Sequence, residues 1–146
     1  MGAHSQATAT APQQPGPGTA SHFRWVICGL LFFATTVNYL DRGILGVLAP
    51  DLQREIGWTA TEYGDINAAF SFAYALGFIL LGRFIDRVGA RVGYAVSLVI
   101  WSLAAAGHAL ARSAFDFGVA RFLLGFGEAG NFPAAIKTTA QWFPRR

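Results

Sequence analysis

"VGYAVSLVIWSLAAAGHALA", residues 92–111, runs for 20 residues without an Asp, Glu, Lys or Arg. A helix needs about 20 mostly apolar residues to cross the hydrocarbon core of a bilayer. The stretch therefore reads as a membrane-spanning helix. Its neighbours are read in the same light, because open sheets cannot span lipid.

Three further apolar segments flank it. Downstream lies Phe115–Ile136, which carries Asp116, Arg121 and Glu128. Upstream lie Tyr63–Leu81, with Asp65 near its start, and Trp25–Leu48, interrupted by Asp41 and Arg42. The expected fold class is thus an all-α membrane protein with four transmembrane helices, over about 25–48, 63–81, 92–111 and 115–136. Composition agrees. The chain is 53% hydrophobic and only 13% charged, where soluble domains carry about 25% charged residues. A net charge of +3 is too small to suggest a nucleic-acid partner. The single cysteine, Cys28, sits inside the first apolar run, cannot form an intrachain disulfide, and reads as small apolar filler.

Residues 1–22 are rich in Ala, Pro, Gln, Gly and Thr, with no Lys or Arg. That composition predicts a disordered tail. Lys and Arg in the connections set the orientation. Arg24, Arg83, Arg87, Arg91, Lys137, Arg145 and Arg146 fall on one side, and Arg54 and Arg112 on the other. The tail, the second connection and the C-terminus are therefore expected to be cytoplasmic. The last segment is followed only by a basic stub, so the chain reads as a piece of something longer.

Away from the segment ends, four charges lie inside the apolar segments: Asp41, Arg42, Arg121 and Glu128. A charge at mid-bilayer costs about 2.5–3.5 kcal/mol on insertion scales and usually pairs or lines a wet cavity. Arg42 lies eight residues before Pro50, about 12 Å from the outer end of its helix at 1.5 Å per residue. Arg121 lies six residues after Phe115, about 9 Å from the same end. Asp41 and Arg121 thus share a depth, carry opposite signs and are expected to pair. Arg121 and Glu128 are two turns apart on one face, with Gly125 between them. Gly127, Gly130 and Pro133 predict a kinked lower half. Glu128 falls near mid-membrane, where burial disfavours the ionised carboxyl, and is a candidate proton carrier. Tyr74, at comparable depth, is a candidate hydrogen-bond donor. The four charges sum to zero. Protonating one carboxylate leaves a positive charge that an entering anion would balance, a physical route to proton–anion coupling. Asn38, one turn from Arg42, reads equally as a cavity residue or as a tie between helices. His108 and the tryptophans at 25, 58 and 142 read as interfacial. No nucleophile–base pair, phosphate-cradling loop or metal-ligand cluster is present, so neither an enzyme nor a bound metal or cofactor is expected.

Between the second and third segments stands "GRFIDRVGAR", residues 82–91. It resembles the signature loop of the major facilitator superfamily, Gly-x-Leu-x-Asp-Arg-x-Gly-x-Arg/Lys. Gly82, Asp86, Arg87, Gly89 and Arg91 match, and Phe84 replaces the usual Leu. "NYLDRGILGVLAPDLQREIGWT" and "RFLLGFGEAGNFPAAIKTTAQWFP" are similar to the anion:cation symporter branch, and within it to bacterial hexuronate and sugar-acid transporters. The resemblance covers about residues 24–146. It implies the N-terminal part of a twelve-helix, proton-coupled symporter for a sugar acid, such as a hexuronate or aldonate, in the bacterial inner membrane. By that likeness Tyr39, Arg42 and Tyr74 contact the substrate, with Arg42 facing its carboxylate. Asp41 and Glu128 are protonatable sites, and Arg121 is their charge partner. The five signature residues form the conformational loop. Helices 5–12 are absent from this sequence and are expected to be required for transport. The alternatives are a carrier of another organic anion or phosphate ester, and a non-transporting four-helix membrane protein or inactive fragment.

Overall fold

The structure is a computed structural model that describes residues 20–143. Of the expected tail, residues 1–19 lie outside the described residues, and Ala20–His22 already belong to the first helix. The order is α1 (Ala20–Ile56), α2 (Ala60–Val88), α3 (Ala90–Gly107), a 3-10 turn (His108–Leu110), α4 (Ala114–Glu128) and α5 (Asn131–Trp142). No strand occurs among the described residues. α1, α2, and α3 with its turn are each long and apolar enough to cross a membrane.

The fourth span is α4 and α5 together, broken at Ala129–Gly130. The chain tightens there: Ala129 N–H reaches Gly125 O at 3.2 Å, and Gly130 N–H reaches Gly127 O at 3.3 Å. Pro133 falls in the first turn of α5, where its missing N–H would have no intrahelical partner in any case. The four-helix count holds, and the break in the fourth lies among the expected glycines.

Helix boundaries differ from the apolar limits. α1 continues through Pro50 to Ile56, α2 begins at Ala60 and reaches Val88, and α4 begins at Ala114. Apolarity marks the hydrocarbon, whereas helix ends are set by caps beyond it. Thr59 and Glu62 form a capping box at the start of α2, and Ser113 and Asp116 form one at the start of α4. The signature stretch is consequently mostly helical. Only Gly89 interrupts it, at φ 91°, where a side chain would be strained.

Between helices in lipid the hydrophobic effect is absent, so close packing of small residues and polar contacts must take over. α2 and α4 show this. A Cβ on Gly125 would lie 2.5 Å from Phe70 O, and one on Gly77 would lie 2.8 Å from Phe126 O. α3 packs on α4 and α5. α1 is different. Of its described side chains only Asn38 and Leu45 are buried, while Leu30, Phe32, Phe33 and Val47 are exposed.

Three apolar clusters stack along the bundle. Leu45, Trp58, Ile66 and Phe117 close one end, Trp101, Ala104 and Leu124 lie further along, and Leu81, Ile85 and Ala134 close the Gly89 end. Trp58, expected as an interfacial anchor, is instead 4% exposed. The short α1–α2 connection folds it inward against Phe117, at 5.2 Å between rings. At the Gly89 end the start of α1 meets the end of α5, with Phe23 5.4 Å from Trp142 and Trp25 6.3 Å from Phe143.

Candidate functional site

All four intramembrane charges converge where α1 crosses α4. Arg121 and Glu128 share the inward face of α4, at 3% and 0% exposure. Asp41 and Arg42, about 100° apart on α1, reach different partners.

Arg42 points at α4 and α2. Its Nε donates to Glu128 Oε2 at 3.0 Å. Its guanidinium carbon lies 4.2 Å from the centre of the Tyr74 ring, 5.6 Å from Tyr39 and 5.7 Å from Phe70. Three aromatic faces and one carboxylate thus hold the cation, each ring contributing about 0.5–2 kcal/mol by cation–π attraction. Tyr74 contributes its ring face to this contact, and its side chain also bears on Arg42 as a hydrogen-bonding group. Arg42 Nη2 is buried without a partner among the described residues.

Asp41 turns toward α3. Its Oδ2 accepts from Trp101 Nε1 at 2.7 Å. The expected Asp41–Arg121 ion pair is not formed. The two residues do meet, but Arg121 Nη1 donates to the main-chain oxygen of Asp41 at 3.3 Å. The reason is competition: the indole N–H occupies the carboxylate, and the helix turns the Asp41 carbonyl toward α4. Arg121 also lies over Phe70, at 5.7 Å, so Phe70 is flanked by both guanidinium groups.

Asp41 and Arg121 line a cleft of about 380 Å³ together with His108, Leu45 and Phe117. His108, expected at the interface, is half-buried. Its Nδ1 lies 2.9 Å from Ala104 O, and its ring lies edge-on to Phe117 at 5.9 Å. Larger grooves on α2–α4 and α3–α4 are lined mainly by apolar side chains and contain none of the four charges.

Sequence reasoning missed Phe70 and Trp101. Both carried a signal. Phe70 is one turn before Tyr74 on the same face. Trp101 is a tryptophan in the middle of an apolar span, where an indole N–H needs a polar partner.

The signature residues lie at the far end of α2. Gly82, Asp86 and Arg87 belong to α2, Gly89 is the connection, and Arg91 opens α3. Lys137 of α5 donates to Asp86 Oδ1 and to Ile85 O, both at 3.0 Å. The ammonium thereby satisfies a carbonyl at the C-terminal end of α2, where a positive charge is favoured. Arg83, Arg87 and Arg91 are exposed.

The profile of the Major Facilitator Superfamily matches residues 31–146. The chain is 37% identical over 123 residues to a galacturonate transporter of Dickeya chrysanthemi, covering 84% of this chain and 36% of that protein. It is 34% identical over 123 residues to the hexuronate transporter of Escherichia coli K12, covering 84% and 28%. It is 35% identical over 132 residues to a probable galactarate/D-glucarate transporter of Pseudomonas putida, again covering 84% and 28%. The chain spans about a third of the length of these curated relatives.

Proposed function

The chain belongs to the Major Facilitator Superfamily, and from that premise we propose that it forms the N-terminal part of a proton-coupled importer of a sugar acid, a hexuronate or aldonate, in a bacterial inner membrane. The observation that carries this reading is the Arg42–Glu128 pair. Arg42 offers a buried, unpartnered Nη2 beside the nitrogen that Glu128 holds. A planar guanidinium matches a carboxylate in two parallel bonds, so a substrate carboxylate and Glu128 compete for one cation.

Protonation of Glu128 removes its claim on Arg42. The guanidinium then takes the substrate carboxylate, and the rings of Tyr39 and Tyr74 flank the sugar. Loss of the proton restores the internal pair and expels the anion. Charge is balanced in both states, which matters because an unpaired buried charge costs about 3–5 kcal/mol. Arg121 and Asp41 stand beside this exchange and hold the field around it constant. Nothing in this cycle makes or breaks a covalent bond in the substrate, so the reading is a carrier and not an enzyme. The positive-inside pattern supports cytoplasmic termini, with the Gly89 end facing the cytoplasm and the signature residues acting there as the conformational loop. The relatives named for galacturonate, hexuronate and galactarate/D-glucarate support the substrate class. The remaining helices of a twelve-helix fold would supply the second wall of the cavity.

The test is uptake of labelled glucuronate, galacturonate and galactonate by the full-length protein, with and without an inward proton gradient. Uptake of at least one should rise with the gradient, and Glu128→Gln should lose that rise while retaining substrate exchange. Gradient-driven uptake that survives Glu128→Gln removes the proposed role of Glu128. Failure of all three sugar acids, with uptake of another organic anion or a phosphate ester, moves the substrate class.

A further inference from the structure

Two contacts fix how α1 faces the broken fourth span. Arg42 meets Glu128, and Thr35 Oγ1 accepts from Asn131 Nδ2 at 3.4 Å. Positions 35, 38 and 42 share one face of α1. α1 and α4–α5 run antiparallel, so 42 pairs with 128 and 35 with 131, and Asn38 lies between those two contacts on α1.

Asn38 is 0% exposed. Among the described residues its Nδ2 and Oδ1 both lack a hydrogen-bond partner, and so does Oε1 of Glu128, itself 0% exposed. A primary amide can make four hydrogen bonds, and leaving it empty in a buried site is unfavourable. A buried, unpaired amide and a buried, unpaired carboxylate oxygen are the setting in which proteins hold internal water, typically through about three bonds. A metal cation is disfavoured by the two nearby guanidinium groups.

The polar line continues toward the Gly89 end. Tyr94 donates to Asn131 Oδ1 at 3.0 Å. Tyr94 is half-buried and lies only five residues beyond Gly89, about 7.5 Å along α3. The charged groups around Glu128 are Asp41 and Arg42 on α1 and Arg121 on α4, and Tyr74 on α2 lies against Arg42.

We propose that Asn38 and Glu128 together hold a buried water, the first member of a proton exit path that runs past Asn131 and Tyr94 to the Gly89 end. The step is a proton transfer. The O–H bond of the Glu128 carboxyl breaks, an O–H bond forms on the water, and that water gives up a different proton along the path to bulk solvent. No electron moves, and the carboxylate left behind closes again on Arg42. Asn38 is a positioning residue in this scheme, because it orients the water and takes no proton itself. The proposal rests on the proton-coupled reading above.

The experiment uses the full-length protein in proteoliposomes, comparing gradient-driven uptake with substrate counterflow, which needs no net proton movement. Asn38→Leu should lower driven uptake by about tenfold, the scale of one hydrogen bond to a charged group, and leave counterflow within about twofold. Asn38→Ser, which keeps a hydroxyl for the water, should recover most of the driven rate. Tyr94→Phe should slow driven uptake and spare counterflow. Driven uptake unchanged in Asn38→Leu overturns the water path. So does an equal loss of uptake and counterflow, which would make Asn38 a packing residue. A wild-type protein indifferent to the gradient overturns the proton-coupled reading itself, an outcome distinguishable from both.

Discussion

The two sides of α1 at its crossing with α4 are built differently, although the residues that define them are adjacent in sequence. On the Arg42 side, three aromatic rings and one carboxylate surround a cation that keeps an unused buried N–H. On the Asp41 side, an indole N–H fixes a carboxylate at the edge of a cleft shared with Arg121 and His108. The first arrangement is exchangeable, since one anion can replace another on a guanidinium. The second is anchored, since the Asp41 carboxylate accepts a short 2.7 Å bond from a buried tryptophan. A neighbouring acid and base therefore do not neutralise each other; the helix aims them at different helices and different tasks.

The difference predicts a graded set of losses. Arg42→Lys should have the largest effect, lowering substrate uptake by about a hundredfold, because a lysine keeps the charge but loses the planar fork and its stacking on the rings. Wild-type uptake in that variant would mean that only the charge matters on the exchangeable side. Next, Trp101→Phe should reduce driven uptake by about tenfold through loss of a hydrogen bond to a charged group. Substrate affinity, measured by titration of the purified protein, should change little. A large fall in affinity would place Asp41 on the substrate side and erase the distinction. Tyr74→Leu should weaken substrate affinity by about threefold to thirtyfold, the range of a lost cation–π contact. Tyr74→Phe should stay within about threefold, since the ring face is retained. A Tyr74→Phe loss as large as Tyr74→Leu would assign the work to the hydroxyl.

Much of this was legible in the residues, and the failures have physical causes. Apolar length placed four helices, and the glycines of the fourth placed the break in it. The first two spans were drawn too short because hydropathy registers the membrane and not the helix ends: the Thr59–Glu62 capping box starts α2 at Ala60, ahead of the apolar limit at Tyr63. Depth matching brought Asp41 and Arg121 together correctly but could not say which atoms meet. That depends on side-chain direction and on Trp101, a competitor on a third helix. Trp58 and His108 were misplaced for a related reason. Both lie near span ends, where interfacial residues concentrate, yet tertiary packing on Phe117 draws them inward. Asn38 carried both of its readings in the sequence, and its burial between the Thr35 and Arg42 contacts required the register of two helices.

The exchange of Glu128 for substrate on Arg42 is tested most directly by counting protons during binding. Calorimetric titration of the purified full-length protein with a transported sugar acid, in buffers of different ionisation enthalpy, gives the number taken up. Competition for Arg42 predicts uptake of about one proton per substrate bound by the wild-type protein and about none by Glu128→Gln. Binding with no proton uptake by the wild type, or equal uptake by both proteins, would contradict it.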